Sequence, residues 1–233
     1  LFLAGAIIQR GDPVDLYLRQ ARGIALDELG RVPGALRFVP ACRYHHIDKD
    51  TGEVIEGDWP AMVAAITDAR GQFQGVHRTW LACQRGAWGK APLPVARKVL
   101  GAAWGHGVNV CRGAGPRGGK PASLPQCPPG TQVYISEGVE DALSVALLLP
   151  AARVVAGISL GGLGAIRLPG NVASVTLVAD LDDNPGAQAA LQSAIEAHRD
   201  AGRTVRVWQN RHGGKDVNDA LRAARAQGQE GAA

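Results

Sequence analysis

Val133-Tyr-Ile-Ser-Glu137-Gly-Val-Glu-Asp141 is an apolar run that ends on a carboxylate and a glycine and then opens a helical pattern. A second apolar run ends in acid as well, Val175-Thr-Leu-Val-Ala-Asp180-Leu-Asp182-Asp-Asn. A third acidic stretch, Gly214-Lys-Asp216-Val-Asn-Asp219, follows the short strand-like run Thr204 to Trp208. In an open parallel α/β sheet, ligands bind at the carboxyl ends of the strands. Three strands that each end in carboxylates therefore predict one crevice lined by acid. Crowded anions repel unless a divalent cation neutralises them, and hard oxygen ligands suit Mg²⁺ or Mn²⁺.

Around these stretches the pattern alternates as α/β folds do. Strands are expected at 133–136, 153–158, 174–179 and 204–208, with helices at 139–149, 186–201 and from Val217 to about Ala226. Gly161-Gly-Leu-Gly164 reads equally as a tight turn or as backbone amides brought near a phosphate.

Upstream, Asp12-Pro13 caps a helix from Val14 to Arg22, and Leu36 to Tyr44 reads as a strand. Asp48 to Gly57 is polar and reads as a turn or exposed loop. The clearest hairpin runs from Pro60 to Thr67, turns at Asp68-Ala-Arg-Gly71, and returns as Phe73 to Leu81. Cys83 to Pro94 is rich in Gly and Pro. Gly113 to Pro129 holds four glycines and five prolines in seventeen residues, which marks a connector. The expected division is residues 1–125, then 131–227, then a tail at 228–233.

The chain has 233 residues and a net charge of +4, with 46% hydrophobic and 20% charged residues, a globular composition. No apolar run reaches the roughly 20 residues that span a bilayer. The run Leu1–Ile8 lacks the flanks of a signal peptide, so the expected location is cytoplasmic with no membrane partner. The chain opens on Leu1 rather than Met, which suggests a fragment. Cys42, Cys83, Cys111 and Cys127 form no Cys-x-x-Cys pair and read as reduced thiols; the alternative is a metal site of Cys111, Cys127 and a histidine.

Charge is unevenly spread. From Ala69 to Ser136 there is no Asp or Glu, but nine basic residues: Arg70, Arg78, Arg85, Lys90, Arg97, Lys98, Arg112, Arg117 and Lys120. Such a stretch beside an acidic cluster suggests a polyanion held against a metal. Arg78 and Lys98 are the leading candidates for template or nucleotide phosphates, with Lys90, Arg97 and Arg112 behind them. His77, next to Arg78 in a strand, faces the other way and reads as a satisfied structural histidine. The five tryptophans read as core, with Trp88 the one placed to stack on a base.

The motifs Glu137-Gly138 with Asp141, Asp180-Leu-Asp182 and Asp216-Val-Asn-Asp219 resemble, in order and spacing, the Toprim domain of topoisomerases and bacterial-type primases. The resemblance covers roughly Thr131 to Gln227. Upstream, Gly75-Val-His-Arg78-Thr-Trp-Leu81 and Ala96-Arg-Lys98-Val-Leu-Gly are similar to the segment that precedes Toprim in primases, especially the primase-like proteins of phages, plasmids and integrative elements. The resemblance implies an α/β Toprim domain with a mostly parallel sheet, behind a smaller α+β primase-core subdomain. It implies primer synthesis on a DNA template from NTPs, with a replicative helicase as a further partner. Asn218 departs from the second Asp common in replicative primases, and no zinc-binding domain precedes the core within this chain.

The roles that follow from the resemblance are specific. Glu137, Asp180 and Asp182 would be catalytic and, with Asp216, would ligate Mg²⁺ or Mn²⁺. Arg78, Lys98, Lys90 and Lys215 would meet phosphates, and Asp141, Gly138 and Asn218 would support the cluster. The plainer readings are helix capping for Glu137 and Asp216, a solvated first helical turn for Asp141, and exposed surface for Glu140 and Asp183. Two rival functions stay open: a Toprim nuclease, and a non-catalytic DNA-binding module of a mobile-element replication protein. Three tyrosines and no strand-passage domain argue against a topoisomerase.

Overall fold

The computed structural model describes residues 1–115, 119–211 and 213–230. Arg117 of the basic stretch lies outside the described residues. The order is α1 (Pro13–Arg22), β1 (Leu36–Ile47), β2 (Val54–Thr67), β3 (Phe73–Gln84), β4 (Ala87–Lys90), β5 (Arg97–Gly101) and β6 (Val108–Arg112). There follow β7 (Thr131–Ser136), α2 (Val139–Leu148), β8 (Arg153–Ala156), α3 (Gly162–Ala165), β9 (Val172–Val178), α4 (Pro185–Asp200), β10 (Thr204–Trp208) and α5 (Val217–Glu230).

Helix α1 begins where expected. Asp12 accepts the amides of Val14 and Asp15, Pro13 takes the first helical position, and Gly23 closes the helix with φ 65°. The first sheet is an antiparallel meander, β1-β2-β3-β4, with β5 pairing the other edge of β3. Two expectations are corrected here. The polar stretch Asp48–Gly57 turns only at its start, because β2 already runs from Val54 and pairs with β1 down to Val54↔Ile47. The Gly/Pro-rich stretch after Cys83 contains β4, which a tight turn at Arg85-Gly86 returns against β3.

The second sheet has the order β10-β9-β7-β8-β6. Its first four strands are parallel, and β6 is antiparallel to β8, so this upstream strand closes the edge of the downstream sheet. Gly161–Gly164 falls mostly within the short helix α3 rather than a simple turn, and α5 continues past Ala226 to Glu230.

The core is layered. Leu36, Met62, Ala64, Ile66 and Leu81 of the first sheet share one cluster with α1, α2 and α5 and with β6 and β8. The far face of the second sheet packs on α4 through Val175, Leu177 and Ala194. The far face of the first sheet buries Tyr44, Val76 and Trp80. The two sheets thus clamp α1, α2 and α5 between them, and α2 carries the first acidic motif. Among the described residues no helix is long and apolar enough to cross a membrane.

Candidate active site

Glu137 directly follows β7, and Asp180 stands two residues beyond the end of β9. These strands are neighbours, with Ser136 opposite Val178, so both acids reach the same sheet edge. The third motif is fastened there by backbone: the Leu181 amide donates to the Lys215 carbonyl at 2.8 Å, and the Ala179 amide to the Trp208 carbonyl at 3.0 Å. Glu137, Asp180 and Asp182 line one small cavity of about 50 Å³, together with Leu160, Gln188 and Gln209.

Electrostatics rank these acids. Burial raises the Glu137 carboxyl, and Asp180 and Asp182 raise it further, against Arg97 and Lys215. Burial also raises Asp180, with Asp216, Asp182 and Asp219 adding to it. Asp141 is pushed up to about 7 by burial and then by Asp216, Glu140 and Asp180. Like charges held close in a dry site disfavour the second ionisation, and such a group of perturbed acids marks a candidate functional site. Asp182 differs: it is lowered by the Asn184 amide and by Lys215, whose Nζ lies 3.2 Å away. Both side chains of that pair are well exposed, so the contact is weak and easily exchanged.

Gly138 has a steric role. A Cβ there would stand 2.7 Å from Asp141 Oδ2, so glycine lets that carboxylate fold back toward the edge. Asp216 does two things at once: Oδ1 accepts the Asp219 amide at 2.8 Å at the start of α5, and its charge raises Asp141 and Asp180. Asp183 is exposed.

The donor set is right in kind for a hard divalent ion, since it is all carboxylate. Among the described residues, however, no three acidic, His or Cys side chains already converge at coordinating distance. The edge supplies repelling carboxylates that a cation would draw together.

Four predicted residues are placed elsewhere. Side chains of β3 alternate, so Arg78 shares the face of Val76 and Trp80, which pack in the outer cluster. Arg78 stacks on the Trp80 ring at 4.7 Å. Lys98, its cross-strand partner in β5, lies over the Tyr44 ring at 4.3 Å and donates to the His45 carbonyl. Both therefore point away from the acidic edge. The neighbour Arg97 pairs with Thr79 on the inward face, and its charge reaches Glu137. Strand parity was the available signal, because it reverses the ranking of Arg97 and Lys98.

Lys90 is an internal counter-ion, its Nζ 3.5 Å from Glu140 Oε1. Glu140 is 4% exposed rather than solvated, and it accepts a 2.7 Å hydrogen bond from the Tyr17 hydroxyl of α1. Burial alone would raise Glu140, but Lys90 and Tyr17 outweigh it and hold the carboxyl down at about 2. The nearly all-apolar α2 could have disclosed this burial. His77 is buried as expected but not satisfied: its Nδ1 has no partner, and desolvation lowers the ring to about 4. Asn218 is not part of the cluster. It is 2% exposed, and its Nδ2 donates to the Arg22 carbonyl and to Ser144 Oγ, tying α5 to α1 and α2. An aspartate would have no proton for that carbonyl, which explains the amide. Trp88 sits in β4 against the core, whereas Trp104, expected in the core, is 74% exposed. The four cysteines are free and dispersed.

Residues 132–227 match the family model described as Toprim domain. Residues 132–227 have the Toprim fold. Residues 1–110 match a family described as a domain of unknown function, DUF7146. Among solved structures, the chain is similar to the DnaG primase catalytic domain bound to ssDNA: 14% identity, 99% of this chain, 74% of that one, TM-score 0.55. It is also similar to the primase fragment of the bacteriophage T7 primase-helicase protein: 14% identity, 96% and 76% coverage, TM-score 0.50. At these identities the likeness is one of fold, and it extends through both sheets. No curated protein matches the chain. The mixed α/β architecture around the Toprim domain is the primase-core fold.

Proposed function

We propose that the chain is the nucleotidyltransferase core of a primase, extending short primers on a DNA template from NTPs. The observation that carries this reading is the set of crowded carboxylates at one sheet edge, Glu137, Asp180 and Asp141, each held above the usual carboxylate range by burial and by its acidic neighbours despite the cations nearby. Glu137, Asp180, Asp182 and Asp216 would hold Mg²⁺ or Mn²⁺ there, and such an ion when bound neutralises phosphate charge and acidifies the attacking hydroxyl. Asp182 joins by exchanging its exposed Lys215 contact, which frees the ammonium for a phosphate. Glu137, raised by burial beside Asp180, is suited to receive the proton of the attacking 3′-hydroxyl. Arg97 faces the same edge and can meet the triphosphate or template.

A template-dependent synthesis assay with labelled NTPs and Mg²⁺ or Mn²⁺ tests the reading. Product from the native chain that disappears with Asp180→Ala supports it. Cleavage of labelled DNA without extension would instead favour the nuclease. DNA binding with neither activity, unchanged by Asp180→Ala, would reduce the domain to a scaffold.

A further inference from the structure

The loop between β5 and β6 presents Trp104 to solvent with 74% of its surface exposed, while the other four tryptophans are buried or half-buried. Exposure alone is ordinary for a single apolar side chain, so the surroundings of this indole decide its role. Its place in the fold is specific. β6 is antiparallel to β8, with Val108 opposite Ala156, so the chain entering β6 lies at the edge where the parallel strands end. That is the edge that carries Glu137 and Asp180.

The surroundings are fitted to the ring. The Arg167 amide donates to the Gly105 carbonyl at 2.9 Å, fixing the Trp104 loop to the segment after α3. Gly161, in the loop that follows β8, lies against the indole, since a Cβ there would stand 3.3 Å from Trp104 Cζ3. That loop is held compact by glycine: a Cβ on Gly162 would collide with the Gly157 carbonyl. Within it, Ile158 has φ 75°, a left-handed conformation that a β-branched residue adopts only under constraint.

Charge defines the occupant. The Arg167 side chain runs beside Gly105, where a Cβ would stand 3.5 Å from its Nε. Arg167 and Arg97 are both exposed, and among the described residues neither makes an ion pair. The stretch Ala69–Ser136, which contains Trp104, has no Asp or Glu. A lone aromatic among glycines and cations is too small and too charged for a protein-docking patch, which needs several hundred Å² of contiguous apolar surface. An aromatic face beside an arginine that makes no ion pair among the described residues is instead the arrangement that binds single-stranded nucleic acid, by base stacking and phosphate contact.

We propose that Trp104 is a stacking platform for an unpaired nucleobase at the rim of the acidic crevice, with Arg167 meeting the adjoining phosphate. The inference rests on the reading of the crevice as a nucleic-acid site and specifies how a single strand is held there. Stacking is tolerant of sequence, so the platform favours single strands over duplex without selecting one base.

Anisotropy of a labelled 12-nucleotide DNA strand tests it, with the native chain, Trp104→Ala and Trp104→Phe in metal-free buffer. Trp104→Ala should weaken single-strand binding about tenfold, and Trp104→Phe should keep most of it. A strand of abasic sites should bind native protein no better than Trp104→Ala binds the normal strand. Native-like binding by Trp104→Ala, or an equal loss on the abasic strand, overturns the platform while the Asp180-dependent synthesis assay still decides the catalytic reading. Absence of single-strand binding by the native chain overturns both.

Discussion

Glu140 and Asp141 are consecutive residues in the first turn of α2, and the fold drives them in opposite directions. Glu140 turns inward, where Tyr17 of α1 and Lys90 of β4 complete its charge, and it is held down at about 2. Asp141 turns to the sheet edge, meets Asp216 and Asp180 with Arg22 alone opposing them among its leading influences, and rises to about 7. The first carboxylate joins the upstream segment to the Toprim domain. The second belongs to a group whose charge the protein leaves unbalanced. Composition and position are nearly identical, so what separates structure from site is whether the fold supplies the counter-charge.

The comparison can be broken from either side. Asp180→Ala should lower template-directed synthesis by a hundredfold or more while leaving the unfolding midpoint unchanged or raised, because it removes repulsion together with function. Glu140→Ala should do the reverse. It strands Lys90 in a half-buried site, and denaturant titration should show a loss of about 3–5 kcal/mol.

Asp141→Asn sharpens the pH side. A carboxyl raised in the folded state binds more protons than in the unfolded chain between about pH 4 and 7, so native stability falls as pH rises through that window. The asparagine variant should be stabilised by on the order of 2 kcal/mol at pH 8 without metal, and by little at pH 4. Equal stabilisation at both pH values would assign the effect to packing instead. Lys215→Ala, which removes an exposed cation, should shift the unfolding midpoint least of the four.

Much of this was legible in the chain. The three acidic strand ends, the hairpin and the α/β alternation follow from apolar runs and their terminators, which are local signals. The inward face of the first sheet was legible only in part. Parity turns His77 from Arg78, and across the sheet the same rule separates Lys98 from Arg97. Asn218 and Glu140 escaped for another reason. Their partners, the Arg22 carbonyl, Tyr17 and Lys90, lie far away in sequence, and no spacing rule reaches them. Trp104 escaped because hydrophobicity alone predicts burial, and its exposure is decided by where β6 enters the second sheet.

The measurement that bears most directly on the central claim is calorimetric titration of Mn²⁺ into the native chain, Asp180→Asn and Lys215→Ala at pH 8. Saturable binding by the native chain and by Lys215→Ala, lost in Asp180→Asn, is the expected result. Saturable binding that survives in Asp180→Asn, or no binding by the native chain, would contradict the assignment of these crowded acids to a cation.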